Sequence, residues 1–108
     1  MLTVEEIKSA VAKIGKDYGI KNAYLFGSYA TGDADEFSDV DLYVESGLRG
    51  LKFVGLVESI RNALNKDVDV LDSSHVDANS KIFDNIKNTG LLIYERWKIH
   101  QQDDWTNW

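Results

Sequence analysis

The 108-residue chain has no cysteine and no proline. Without cysteine there is no disulfide framework and no thiolate chemistry, which fits a reducing compartment. Without proline, the ends of helices and strands fall to glycine and to capping side chains. Histidine is nearly as scarce. His75 and His100 lie far apart, with no cysteine and no H-x-x-x-H spacing, which argues against a zinc site. No apolar run approaches the ~20 residues of a membrane span, and no charged start leads into the apolar stretch of a signal peptide. The expectation is a cytoplasmic protein without membrane contact. Bases are in the minority, 12 against 18 acids for a net charge of −6. No basic patch of the kind that grips duplex nucleic acid stands out. Such acidity suits a metal cation or a basic partner, beyond what it does for solubility.

What is present is ordinary for a globular domain: 44% hydrophobic and 28% charged residues, with no repeat and no low-complexity segment. A chain of this length has room for one domain with one modest core. Thr3 and Glu6 form a capping box ahead of Val4, Ile7, Val11 and Ile14 at helical spacing, and Gly19 supplies the stop. "NAYLF", Asn22 to Phe26, reads as a short buried strand running into Gly27. In "SDVDLYV" Val40, Leu42 and Val44 take one face, and Asp39, Asp41 and Tyr43 the other. "LKFVGLVESIRNAL" has helical period, with Phe53, Leu56, Val57, Ile60 and Leu64 inward. "DVDVLD" alternates again, Val68 and Val70 against Asp67, Asp69 and Leu71. Asn79 to Asn88 reads as a third helix with Ile82, Phe83 and Ile86 inward, closed by Gly90, and "LLIYE", Leu91 to Glu95, as a last strand. This order predicts a single α/β (α+β) domain over residues 1–96, with a small mixed sheet of about four strands flanked by helices. Residues 97–108 read as a tail, in which Trp105 and Trp108 suit either an interaction patch or a frayed end.

The acids on the strands carry the chemistry. Alternate strand residues lie roughly 6.6 Å apart and point the same way. Carboxylates so placed repel one another unless they grip a common cation or flank a pair of cations ~3.5–4 Å apart. Hard oxygen ligands suit magnesium, which shares its shell with substrate phosphates. Asp67 and Asp69 supply a second acid pair, and three carboxylates can surround one site if the two strands adjoin. Gly27-Ser28 is the complementary half: glycine lets backbone approach a ligand closely, and a following helical turn aims N–H groups and the Ser28 hydroxyl at an anion. No Walker-type G-x-x-x-x-G-K-[ST] occurs. Taken alone, a D-x-D on a strand or a Gly-Ser after one is more often solvated surface or a plain turn. Asp33, Asp35 and Glu36 read as solvated loop acids.

In combination, "GSYATGDADEFSDVDL" resembles the nucleotidyltransferase signature G-S-x-A-x-G-x-x-x-x-x-S-D-x-D-L, with Gly27, Ser28, Ala30, Gly32, Ser38, Asp39, Asp41 and Leu42 in place. The chain resembles the minimal nucleotidyltransferase (MNT) domains of the DNA polymerase beta-like superfamily, from the first helix through "LLIYE". The resemblance implies a palm-like fold and transfer of a nucleoside monophosphate from a triphosphate to a hydroxyl, with pyrophosphate leaving and two magnesium ions assisting. Asp39 and Asp41 would bind the metals, and Gly27 with Ser28 the β- and γ-phosphates. The third acid falls on Asp69, which would bind the catalytic metal and help deprotonate the attacking hydroxyl. Asp67, at the strand's start, is the competing position. Tyr29 and Thr31 stand where many members carry arginine, so a charge for the triphosphate would come from elsewhere, as arginine fingers in trans do. Short members resemble the antitoxin half of a HEPN/MNT pair, in which the MNT protein adenylylates a tyrosine of the HEPN toxin using ATP.

Three readings follow. The first is an enzyme, a magnesium-dependent adenylyltransferase acting on a HEPN-domain partner. The second is a nucleotide-binding module that neutralises such a partner by contact alone; loss of an aspartate would favour it, and none is lost. The third, transfer to a small molecule, needs an acceptor pocket that only a homo-oligomer or a helical partner could complete.

Overall fold

The computed structural model describes residues 2–77 and 79–96. The expected tail from Trp97 onward, with His100, Trp105 and Trp108, lies outside the described residues, as does the side chain of Ile82. Helix α1 spans Val4–Tyr18. Thr3 caps it: its hydroxyl accepts from the Glu6 N–H at 3.1 Å while Glu6 Oε1 accepts from the Thr3 N–H at 3.3 Å. Gly19 ends it with a left-handed φ of 70°. Strand β1 (Asn22–Phe26) leads through Gly27 into α2, a single turn over Ser28–Thr31, and then a loop to strand β2 (Val40–Glu45). Helix α3 (Leu51–Leu64), strand β3 (Val68–Asp72), one 3-10 turn (Ser73–His75), helix α4 (Lys81–Thr89) and strand β4 (Leu91–Glu95) complete the order.

The four strands form one mixed sheet in the order β3-β2-β1-β4. β1 is antiparallel to both β2 and β4, whereas β2 and β3 run parallel, joined by the α3 crossover. The fold class and strand count thus match the sequence expectation. α1 and α3 lie against each other, linked by a 3.2 Å hydrogen bond between Tyr18 Oη and Ser59 Oγ. The core they cover holds Ile7, Val11, Leu56, Ile60, Leu25, Val40, Leu42, Val44 and Val68, all fully buried. These are the apolar positions of the helical and alternating patterns, and their removal from water is the dominant stabilising term.

Three expectations need correcting. The third helix begins at Lys81 and not Asn79, because the Ser80 hydroxyl accepts from the Phe83 N–H at 3.2 Å and makes Ser80 the N-cap. Asp39 precedes β2 and Asp67 precedes β3, so neither is a strand residue; the ladder opens where the Val40 N–H meets the Asp67 carbonyl at 3.3 Å. Tyr43, on the face assigned to polar groups, is buried, with Tyr24 on the neighbouring strand at a ring-centroid distance of 6.2 Å. α4 packs over β1.

Asp72 is the buried charge of the fold, 2% exposed. Oδ1 accepts from the N–H and hydroxyl of Ser46 at 3.0 and 2.5 Å, and Oδ2 from those of Ser74 at 3.1 and 2.6 Å. Burial pushes the pKa of this carboxyl up, but the four hydrogen bonds outweigh it and hold the pKa below the ordinary 3.8. A depressed pKa means stability that is present above 3.8 and lost as the pH falls through the lower, folded value. Asp72→Asn should therefore lose about 1–3 kcal/mol at neutral pH, since an amide cannot accept from Ser46 and Ser74 on both sides. It should also flatten the acid limb of the stability curve below pH 4, where protonation of the wild type removes the same contacts. Urea unfolding at a series of pH values measures both effects.

Candidate active site

The register of the sheet builds the site. β2 and β3 pair so that Asp41 stands beside Asp69, and β1 pairs with β2 so that Phe26 stands beside Asp41 from the other side. Side chains of laterally paired residues share a face, with strands about 4.8 Å apart. Asp41 and Asp69 therefore share the face opposite the α1/α3 core. The parallel pairing meets the condition on which the sequence reading depended, that the two acid-bearing strands adjoin. It places Asp69 next to Asp41, while Asp67 lies before the strand with its carbonyl engaged by Val40. Asp39 and Asp69 are exposed and Asp41 is half-buried. Burial raises the pKa of Asp41, with the charges of Asp69 and then Asp39 adding to it. The two neighbours are thus close enough to be felt.

Gly27 follows Phe26 and leaves β1 with φ 74° and ψ −153°, a conformation open in practice only to glycine. A Cβ at that position would collide with Asp41 Oδ2. The backbone that opens α2 is thus packed against the half-buried carboxylate, which is why the Gly-Ser step and the acid pair belong to one site. In α2 the Ala30 and Thr31 N–H groups bond to the Gly27 carbonyl at 3.1 and 3.2 Å. The N–H groups ahead of them have no partner within the turn.

The two arginine-replacing residues take separate places. Tyr29 is buried in the core with its hydroxyl unpartnered, and Thr31 is exposed, its hydroxyl donating to Asp33 Oδ2 at 2.9 Å. The loop from Gly32 to Asp39 is built by Asp35, whose Oδ1 accepts from the Phe37 N–H at 2.9 Å and the Ser38 hydroxyl at 3.1 Å. Asp35 is thus structural, beyond the solvated role the sequence suggested. From Asn22 to Leu48 the chain holds Asp33, Asp35, Glu36, Asp39, Asp41 and Glu45 and no Lys, Arg or His. Lys66, beside β3, donates to the Glu36 carbonyl at 3.0 Å and so braces the loop.

The donor set fits a hard divalent cation. Asp39, Asp41 and Asp69 offer carboxylate oxygens, and among the described residues none of them pairs with a cationic side chain; the ion pair found there joins Arg61 and Glu58. Among those residues no group of three or more acidic or histidine side chains is gathered so that it could hold a metal ion. Magnesium retains several waters and takes substrate oxygens, so a partial set of protein carboxylates would suffice for it.

Residues 6–99 match the family described as Polymerase beta, Nucleotidyltransferase. The protein adenylyltransferase MntA of Thermococcus cleftensis is 39% identical over 80 residues, covering 68% of this chain and 81% of that protein. A crystal structure of a toxin–antitoxin with AMP-PNP contains a chain that superposes at a TM-score of 0.70 and 26% identity, over 90% of this chain and 77% of that one. A tri-AMPylated HEPN toxin of Shewanella oneidensis in complex with its MNT antitoxin gives 0.65 at 23% identity, over 93% and 76%, a likeness of fold.

Two outcomes test this geometry. The raised pKa of Asp41 means that its ionised form destabilises the fold above that pKa, a penalty that vanishes as the pH falls towards 3.8. Asp41→Asn should accordingly melt higher than wild type at pH 7 in chelator, with the gap narrowing on acidification. Gly27→Ala should be destabilised by about 1–3 kcal/mol from backbone strain, with the clash against Asp41 adding to it. Thermal melts of both variants read the two effects directly, and an unchanged Gly27→Ala would mean the backbone is not pressed on Asp41.

Proposed function

The chain belongs to the polymerase beta nucleotidyltransferase family, and on that premise we propose that it transfers AMP from ATP to a tyrosine hydroxyl of a HEPN-domain protein partner, with magnesium as cofactor. The observation that carries the reading is the pairing of Asp41 with Asp69 across β2 and β3, with the Gly27 backbone set against Asp41. The relative named as a protein adenylyltransferase and the toxin–antitoxin neighbour with AMP-PNP support the choice of nucleotide and of a protein acceptor.

In this reading Asp39, Asp41 and Asp69 would hold two magnesium ions, which would neutralise charge on the triphosphate and on the leaving pyrophosphate. Gly27 lets the backbone close on the β- and γ-phosphates, and the Ser28 hydroxyl donates to them. The acceptor oxygen forms a bond to the α-phosphorus as the bond from that phosphorus to the bridging oxygen breaks. Pyrophosphate leaves, and the hydroxyl proton passes towards the Asp69 carboxylate. Most of the acceleration comes from holding the reacting groups in line. The long stretch without a base leaves the triphosphate without a cation from this side, which favours a partner with basic residues near its acceptor. No helix among the described residues is long and apolar enough to cross a membrane.

The test is incubation of the chain with ATP, magnesium and the HEPN-domain protein, read by mass spectrometry. One or more AMP units should appear on the partner's tyrosine, and little turnover should occur without it. Asp39→Asn and Asp41→Asn should abolish transfer, and Asp69→Asn should reduce transfer more than nucleotide binding. A tight complex without any adduct would establish the contact-only module instead. By calorimetry, Ser28→Ala should weaken nucleotide binding by about 0.5–1.5 kcal/mol, the worth of one hydrogen bond. Ser28→Asp should weaken it far more, and unchanged affinity there would remove Ser28 from the phosphate site.

A further inference from the structure

We propose that Asp72 is a positioning residue for the Asp41–Asp69 pair: by tying the exit of β2 to the exit of β3, it holds those two carboxylates in register against their own repulsion. The inference rests on the reading of that pair as the metal site.

Among the described strands β3, five residues long, lies at the edge of the sheet and pairs only with β2. Parallel pairing is slightly weaker per residue than antiparallel pairing. The middle of this short ladder carries Asp41 beside Asp69, and like charges opposite one another on a sheet face are destabilising. Sliding or peeling β3 would relieve that repulsion and separate the pair. Side chains oppose it at both ends. At the start, Arg61 Nε donates to the Val68 carbonyl at 3.1 Å. At the end, Asp72, laterally paired with Val44, reaches past β2 to the N–H and hydroxyl of Ser46. The Ser46 hydroxyl also accepts from the Leu48 N–H at 3.0 Å, so the chain leaving β2 is pinned as well.

Nothing about packing requires a carboxylate there. Asp72 follows Val68 and Val70 on the core face, where an apolar side chain would be buried without the desolvation penalty of a charge. Its position on the opposite face from Asp69 keeps it from touching substrate. Its two oxygens also divide the work: Oδ1 bridges to the end of β2, whereas Oδ2 caps the local 3-10 turn through Ser74. That division supplies an internal control.

The experiment uses the full chain, with Mn2+ as the probe of the metal site and amide hydrogen exchange as the probe of the β2–β3 ladder. Asp72→Asn should weaken Mn2+ binding by about tenfold, the order of one lost hydrogen bond that holds the ligand-bearing strands together. It should also speed exchange of the amides shared by β2 and β3 by about tenfold relative to those shared by β1 and β2. Ser46→Ala should move both readouts the same way by a smaller factor, and Ser74→Ala should leave both near wild type. Equal effects of the two serine variants would overturn the proposal, as would a folded Asp72→Asn with wild-type Mn2+ affinity and exchange. If Asp72→Asn does not fold, the serine pair decides alone. A wild-type chain that binds no Mn2+ would overturn the metal reading of Asp41 and Asp69, and the exchange comparison would still decide whether Asp72 holds the ladder.

Discussion

Asp41 and Asp69 are held side by side on parallel strands although their charges repel. The half-buried Asp41 carboxyl is pushed towards the protonated form by burial, with both acidic neighbours adding to it. A fold that only had to be stable would place an apolar or oppositely charged residue there. This one surrounds the pair with features that keep it together: a crossover helix that feeds β3 in parallel, an arginine on that helix bonded to Val68, and a buried aspartate bonded to Ser46. A cation between the carboxylates would turn that repulsion into attraction, so under the proposed metal reading the destabilisation of the ligand-free fold and the metal affinity would have one physical origin.

The other half of the site depends on what glycine permits. β1 and β2 are antiparallel, so the end of β1 arrives beside the start of β2, and Phe26 is paired with Asp41. The next residue must turn into α2 within contact of that carboxylate, which only a residue without a Cβ can do. The acid pair and the turn that opens α2 are thereby joined through backbone, with no side chain between them. The acidic loop beyond α2, braced by Asp35 and by Lys66, forms the rim of the same end of the sheet. The relative from Thermococcus cleftensis is a protein adenylyltransferase by name.

The sequence by itself determined the element types and the composition of the core, because the period of apolar residues along a chain is a local property. Thr3, Glu6 and Gly19 mark the first helix, and the alternation through Val40, Leu42 and Val44 marks the core face of β2. It also named the acids and the Gly-Ser step, because their spacing is fixed along the chain. It could not give the register of β2 against β3, on which the choice between Asp67 and Asp69 turns; pairing between distant segments is set by the crossover and by packing of Val68 and Val70. Nor did spacing reveal Asp72. A polar residue in phase with Val68 and Val70 was the available signal, but its meaning came only with Ser46, 26 positions away in the chain. The same holds for Tyr29, which the motif sets beside Ser28 and the fold buries in the core. Local chemistry follows from covalent order, whereas whether a charge is exposed, paired or buried follows from which distant residues the fold brings against it, and that was decided by the tertiary structure alone.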